Sequence, residues 1–240
     1  VRVAELWRHP VKSLQGQRVD AVAIGPEGLA GDRQWALFDA ATGLGLTARR
    51  VPDLLFAFAR LTPGGGVEVV LPDGTVTTDD AVLSGWLGRP VTLRAAAEVT
   101  GERRYENPGD VRDDGEYDWD AFPGARGAFH DSSRTRVSLV STGTLGNWDR
   151  RRFRSNVVLA GAGEDRLVGQ RVRLGGAELD VVKPVSRCVM VTRPQPGGIG
   201  RDTAVLKTVH RERGGRLAVA ALVARPGWVA VGDELTAGGG

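Results

Sequence analysis

Apolar and polar residues alternate over positions 1–7 and again over 19–24, where Gly25-Pro26 breaks the run. A period of two marks a strand with one buried face, so both segments are predicted as strands. Segments 33–39, 54–61, 67–71 and 91–94 extend the series, and Pro72-Asp73-Gly74 turns 67–71 back into 75–76 as a hairpin. One helix is predicted over 79–87, with Thr77 or Thr78 as N-cap and Gly88 as its stop. In the second half, 136–141, 156–160, 171–174 paired with 177–182, 217–223 and 228–235 are predicted strands. Short helices are predicted around 144–150 and 202–211.

The two halves are separated by a change of character. Nine of the 23 residues from 98 to 120 are acidic and three are basic, and glycines and prolines extend the irregular stretch to about residue 130. Such a segment reads as a solvated connector, with a lid over a site as the alternative. Strands outnumber helices and regular βαβ alternation is absent. The fold class is therefore mainly β (α+β): two β-barrel-like modules with a few short helices. The expected organisation is an N-terminal barrel over 1–97, an acidic connector over 98–130 and a second barrel over 131–236, followed by a frayed glycine tail.

Composition narrows the function classes. The chain of 240 residues, 41% hydrophobic, buries a core without covalent staples. Its single cysteine, Cys188, rules out an internal disulfide, a Cys-ligated iron–sulfur cluster and a multi-Cys zinc site, and fits a reducing cytoplasm. Net charge is only +3, with the two signs interleaved. The densest basic run, Arg150 to Arg154, is too short for a nucleic-acid footprint. No apolar stretch approaches the roughly 18 residues of a membrane span, and the first residues lack the apolar core of a signal peptide. A soluble cytoplasmic protein is expected, with neither nucleic acid nor membrane as partner. Arginines outnumber lysines 29 to 3, which makes each lysine more noticeable.

Several chemistries are set aside by their missing motifs: there is no Walker loop, no Gly-x-Gly-x-x-Gly after a strand, no Gly-x-Ser-x-Gly elbow and no His-Glu-x-x-His. His9, His130 and His210 lie far apart. Cys188 is open to three readings: a nucleophile paired in space with His130 or His210, a metal ligand beside Arg187, or a buried structural thiol.

The order of short motifs adds to this. His9-Pro10-Val11-Lys12-Ser13 closes the first strand, followed by Gly31-Asp32-Arg33-Gln34-Trp35 and Leu46-Thr47-Ala48-Arg49. Later come Ser141-Thr142-Gly143-Thr144, Arg152-Phe153-Arg154-Ser155-Asn156, Ser186-Arg187-Cys188, Arg201-Asp202 and Val231-Gly232-Asp233-Glu234-Leu235. Over nearly the whole chain this set resembles the MOSC-domain family with its N-terminal β-barrel companion. The functional group it is similar to is that of the mitochondrial amidoxime-reducing components and their bacterial relatives. The resemblance implies binding of the molybdenum cofactor, with Cys188 as the ligand to the metal. It implies that Lys12, Ser13, Arg33 and Arg154 hold the phosphate and pterin, with Ser141, Thr144, Asn156 and Ser186 as polar neighbours and Arg49 and Arg187 also at the site. Asp202 joins Cys188 as a catalytic candidate, the alternative being an N-cap for the helix that follows it. Guanidinium forks, an ammonium and hydroxyls suit a phosphate, and a thiolate suits a soft metal.

The implied reaction is oxygen removal from a small N-hydroxylated or N-oxide compound. One cysteine leaves no ligands for a resident cluster, so electrons are expected from a separate ferredoxin, flavoprotein reductase or cytochrome. The acidic segment is a further candidate, for recruiting a cationic amidine-like substrate or the donor. Where relatives often carry Pro after Arg-Phe-Arg, this chain has Ser155. Two rival functions stay open: a non-catalytic cofactor carrier, and a thiol sulfurtransferase acting through Cys188.

Overall fold

The computed structural model describes residues 1–108 and 119–238, so the central part of the acidic segment lies outside the described residues. The largest sheet has eight strands in the order Leu235–Ala237, Arg171–Leu174, Ala177–Ser186, Arg216–Arg225, Val137–Ser141, Val157–Leu159, Val3–Arg8 and Gln17–Val19. Every pair is antiparallel except Val137–Ser141 with Val157–Leu159. The sheet curls until the edge strand Leu235–Ala237 meets the residues leading into Val3–Arg8: Arg2 bridges Glu234, and the Leu235 amide donates to the Val1 carbonyl at 2.8 Å. Alternating residues point inward, and Leu6, Ile24, Leu139, Val157, Leu174, Leu179, Val219 and Val229 fill the barrel interior.

Local pattern does not reveal which strands pair. Val3–Arg8 sits inside the C-terminal barrel, beside Val157–Leu159. Ala21–Gly25 pairs with Gly227–Ala230. Strands from the first thirty residues thus interleave with the last hundred, while residues 11–15 between them already belong to the N-terminal module. That module packs Trp35–Asp39 against Val91–Ala95, adds the meander Phe58–Leu61, Val67–Val70 and Val76–Thr77, and closes with the helix Asp80–Leu87. Its core is Val11, Leu14, Leu37, Leu46, Leu54, Leu55, Val69 and Leu83. The helix is capped by Asp79, whose carboxylate accepts from the Ala81 and Val82 amides, and stopped by Gly88 at φ 64°.

The helix Thr203–Arg213 lies on the outside of the C-terminal barrel, burying Val205 and Val209 with Val140, Val158, Leu217 and Phe153. Asp202 is its N-cap, accepting from the Ala204 amide at 2.9 Å. Residues 54–61 split, because Pro52 starts a 3-10 turn, Pro52–Phe56, before the strand Phe58–Leu61 begins. In place of a helix at 144–150 there is one helical turn, Thr142–Leu145, followed by a 3-10 turn, Arg150–Arg152.

The described ends of the acidic segment pair as a hairpin, Arg104–Pro108 with Trp119–Pro123. It is pinned by a buried arginine. The Arg103 guanidinium donates to the carbonyls of Ala96 at 2.6 Å and of Gly127, and stacks 4.5 Å above the Phe129 ring. Arg103→Ala orphans these carbonyls and is expected to lower unfolding free energy by about 2–4 kcal/mol, read from urea midpoints.

Candidate functional site

A cavity of about 500 Å³ opens where the two modules meet. Its walls are the turn after Val3–Arg8 (Lys12, Ser13), the approach to Trp35–Asp39 (Arg33), Thr47 to Arg49, His130 to Ser138, Phe153 to Asn156, and the end of Ala177–Ser186 running on through Cys188 to Met190. Seven cationic side chains line it, namely Lys12, Arg33, Arg49, Arg154, Lys183, Arg187 and Arg216, against one carboxylate, Asp131.

The backbone is strained at this cavity. Four non-glycine residues among those described have left-handed φ values: Ser13 (70°), Arg33 (52°), Arg154 (54°) and Ala218 (74°). The first three line the cavity. Each costs about 1 kcal/mol or more and persists only where surroundings over-determine it. The determinants are visible. Ser13 Oγ accepts from the Ala48 amide at 3.1 Å, the Arg33 amide donates to the His9 carbonyl at 2.7 Å, and Arg154 Nη1 donates to the Leu14 carbonyl at 2.6 Å.

A buried layer holds these cations from below. Asp32 is fully buried; its carboxylate accepts from the His9 amide at 2.7 Å and from the Arg33 guanidinium. Gly16 makes room for this layer, since a Cβ there would lie 2.4 Å from the Arg8 carbonyl oxygen and 2.6 Å from the His9 ring. Burial opposes ionisation of Asp32, yet Arg33 and His9 outweigh it and hold the carboxyl well below the usual range. Burial, reinforced by Arg154 and Arg33, pushes His9 down to about 3. His130 falls to about 4 for the same reason, burial first and Arg33 second, and its Nε2 lies 2.9 Å from the Glu27 carbonyl oxygen.

The cations themselves are crowded. Burial and then the neighbouring Arg33 lower Arg154 to about 9. Burial lowers Lys12, against the pull of Asp131. Lys12 Nζ is paired with that carboxylate, whose side chain is 75% exposed at the mouth, and lies 4.5 Å from the Tyr105 ring centroid. Such a cluster attracts an anion, which would relieve the repulsion between Arg33 and Arg154.

At the other side of the cavity, Cys188 is half-buried and opens the 3-10 turn Val189–Thr192. Arg187 fixes its approach, donating to the carbonyls of Leu217 at 2.7 Å and Phe153 at 2.9 Å. Burial lowers Arg187 to about 10, with Cys188 acting in the opposite direction.

Of the residues the sequence singled out, Lys12, Ser13, Arg33, Arg49, Arg154, Asn156, Ser186, Arg187 and Cys188 all meet here. Asn156 turns its amide inward, accepting from Ser138 Oγ at 3.0 Å and donating to the Trp7 carbonyl at 3.2 Å. Ser141, Thr144 and Asp202 are not among the lining residues. Ser141 caps Thr142–Leu145, and both its hydroxyl and that of Thr144 donate to the Glu164 carboxylate. Asp202 does the capping work described above. The walls also include Lys183, Arg216, Asp131, Ser132 and Thr135, which no motif had flagged. Lys183 carried one signal, its rarity among the cations.

Two β-barrel-like modules thus meet at a cationic cavity with a thiol in its wall. The MOSC N-terminal beta barrel domain matches residues 1–84 and the MOSC domain matches residues 125–236, so the chain belongs to the MOSC-domain family. Among solved structures it is similar to the YUAD protein from Bacillus subtilis, at 13% identity, covering 98% of this chain and 93% of that one with a TM-score of 0.44. It is also similar to YiiM from Geobacillus stearothermophilus, at 16% identity, covering 57% and 72% with a TM-score of 0.37. None of the curated proteins compared matches the chain.

Proposed function

We propose that this protein is a molybdenum-cofactor-binding oxidoreductase that reduces N-hydroxylated or N-oxide compounds, such as amidoximes and hydroxylamines. The observation that carries the reading is the convergence of cations from both modules on one cavity with Cys188 in its wall.

The residues fit such a group. Arg154 Nη2 and Arg187 Nη2 are buried without a hydrogen-bond partner among the described residues, and a buried donor left unmade costs about 1–3 kcal/mol. A phosphate tail with several acceptor oxygens satisfies donors of this kind. Among the described residues no three His, Cys, Asp or Glu side chains converge as a metal cage. At this cavity Cys188 would be the protein's ligand to the metal, with the remaining ligands supplied by an organic carrier.

When bound, the cofactor supplies two-electron removal of oxygen from the N–O group, released as water with two protons. The chain's own residues do the rest. Lys12, Ser13, Arg33, Arg49 and Arg154 bind the anionic tail. Asp32 orients Arg33 from beneath, and Arg187 holds the backbone that presents Cys188. Electrons come from a separate ferredoxin, flavoprotein or cytochrome.

Protein purified from cells that make the cofactor is expected to contain stoichiometric molybdenum and a fluorescent pterin, and to reduce benzamidoxime with reduced viologen. Molybdenum without turnover would leave a carrier, and a persulfide on Cys188 with no metal would leave a sulfurtransferase; either overturns the reading.

A further inference from the structure

Apart from Arg49 and Arg187, the cationic lining falls into two parts, and only one of them is assigned to the cofactor above. Lys12 and Arg154, both buried, and the partly buried Arg33 form one part, braced by Asp32 and Asp131. Lys183 and Arg216 form the other part. Neither has a carboxylate partner among the described residues, and the one side-chain hydrogen bond of Lys183 runs to Ser132 Oγ at 3.3 Å.

Their placement follows from the sheet. Lys183 and Ser186 lie on the strand Ala177–Ser186, and Arg216 stands directly opposite Ser186 on the next strand. The register between these strands slips three times, between Glu178 and Leu179, between Val181 and Lys183, and again between Pro184 and Ser186, the last two flanking Lys183 and Pro184. Bulges of this kind re-aim side chains that would otherwise alternate across the sheet. The run from Lys183 to Cys188 thus all lines the same cavity. Two cations without a carboxylate partner among the described residues, and the hydroxyls of Ser132 and Ser186, share the cavity wall with Cys188.

We propose that this second cationic group is a substrate-recognition subsite, and that the physiological substrate carries an anionic group such as a carboxylate beside its reducible N–O bond. This deepens the proposed function and rests on it for the reaction, though not for the binding. The sign is opposite to the one expected from the acidic segment. Of that segment's described residues, only His130 reaches the wall. Among the described residues the one lining carboxylate, Asp131, is already engaged by Lys12. A cationic amidine meets like charge throughout, whereas an anion is steered inward and paired.

The test compares para-carboxybenzamidoxime with neutral benzamidoxime, using the purified protein without reductant in a calorimeter, and then with reductant in turnover. The carboxylate compound is expected to bind about tenfold more tightly, the worth of a charge-assisted hydrogen bond, and the preference should shrink as salt rises. Lys183→Ala with Arg216→Ala is expected to abolish the preference while leaving molybdenum and pterin content and benzamidoxime turnover unchanged. Lys183→Glu with Arg216→Glu should reverse the preference, and Lys183→Arg should retain it. Equal affinity for the two compounds in the wild type overturns the inference. So does loss of molybdenum from the alanine variant, which would give these residues to the cofactor. A wild type that holds no cofactor sinks the proposed reaction, and the calorimetric comparison still decides the subsite.

Discussion

Replacing Cys188 by serine is expected to remove molybdenum retention and amidoxime reduction together while leaving the fold intact. The side chain is half-buried and contributes no cap hydrogen bond to the turn Val189–Thr192 that it opens. The backbone there is held by other groups: the Arg187 amide donates to the Gly215 carbonyl at 2.9 Å and the Val191 amide to the Cys188 carbonyl at 3.2 Å. Serine is nearly isosteric, so thermal stability should move by less than about 1 kcal/mol. What is lost is the soft thiolate. Losing a partner of a ligand typically costs 10–100-fold in metal affinity or activity, so losing the ligand itself should exceed about 100-fold. Elemental analysis, pterin fluorescence and turnover are to be measured on the same preparation. A serine variant that keeps its molybdenum and its rate would show that Cys188 does not ligate, whatever else occupies the cavity.

The strands were legible where one face is buried and the other is not. Arg171–Leu174 and Ala21–Gly25 repeat every two residues because the barrel interior selects alternate positions. The hairpin Arg104–Pro108 with Trp119–Pro123 carried no such signal. Its buried positions include Arg103 and Glu106, and Glu106 is satisfied by Arg89, which also holds Asp39. A polar network replaces the apolar stripe that a pattern-based reading needs. Segment 228–235 read as one strand but turns at Gly232, φ 93°, where the Asp233 carboxylate accepts from the Ala230 amide at 2.8 Å.

The candidate site was legible through motif order more than through local chemistry. Nothing in Ser13, Arg33 or Arg154 as residue types announces a left-handed backbone; that conformation is imposed by contacts across the modules, such as Arg154 to the Leu14 carbonyl. Ser141 and Thr144 show the opposite failing. A hydroxyl pair at helix-start spacing serves a phosphate or a cap equally well on paper, and here Glu164 engages both hydroxyls. Lys183 and Arg216 stayed hidden because two bulges break the alternation that would have assigned their faces.

Acid is expected to destabilise this protein well above the range in which its carboxylates titrate. His9 and His130 are held neutral in the fold at about 3 and about 4, against an ordinary value of 6.5. A group whose folded pKa is depressed contributes stability above its unfolded value, and that stability is lost as pH falls toward the folded one. Between pH 7 and 5 the unfolded chain takes up a proton on each of these histidines that the folded chain does not, costing roughly 2 kcal/mol apiece. Together that is about 4 kcal/mol, a large share of the 5–15 kcal/mol that holds a typical domain. Asp32 pulls its own contribution to lower pH, since Arg33 and His9 keep it ionised far below its ordinary range. Urea midpoints measured from pH 7 to pH 5 should therefore fall steeply, and His130→Gln, which keeps a donor toward the Glu27 carbonyl, should remove about half of the drop. A midpoint that stays level over this interval would show that the two histidines are not held neutral. Burial is the first cause of both shifts, Arg33 adds to it for both histidines and Arg154 for His9, and these two arginines also line the cavity. An anion bound between those guanidinium groups would offset their charge, raise both histidines and flatten the same curve, so protein loaded with cofactor should resist acid better than protein stripped of it.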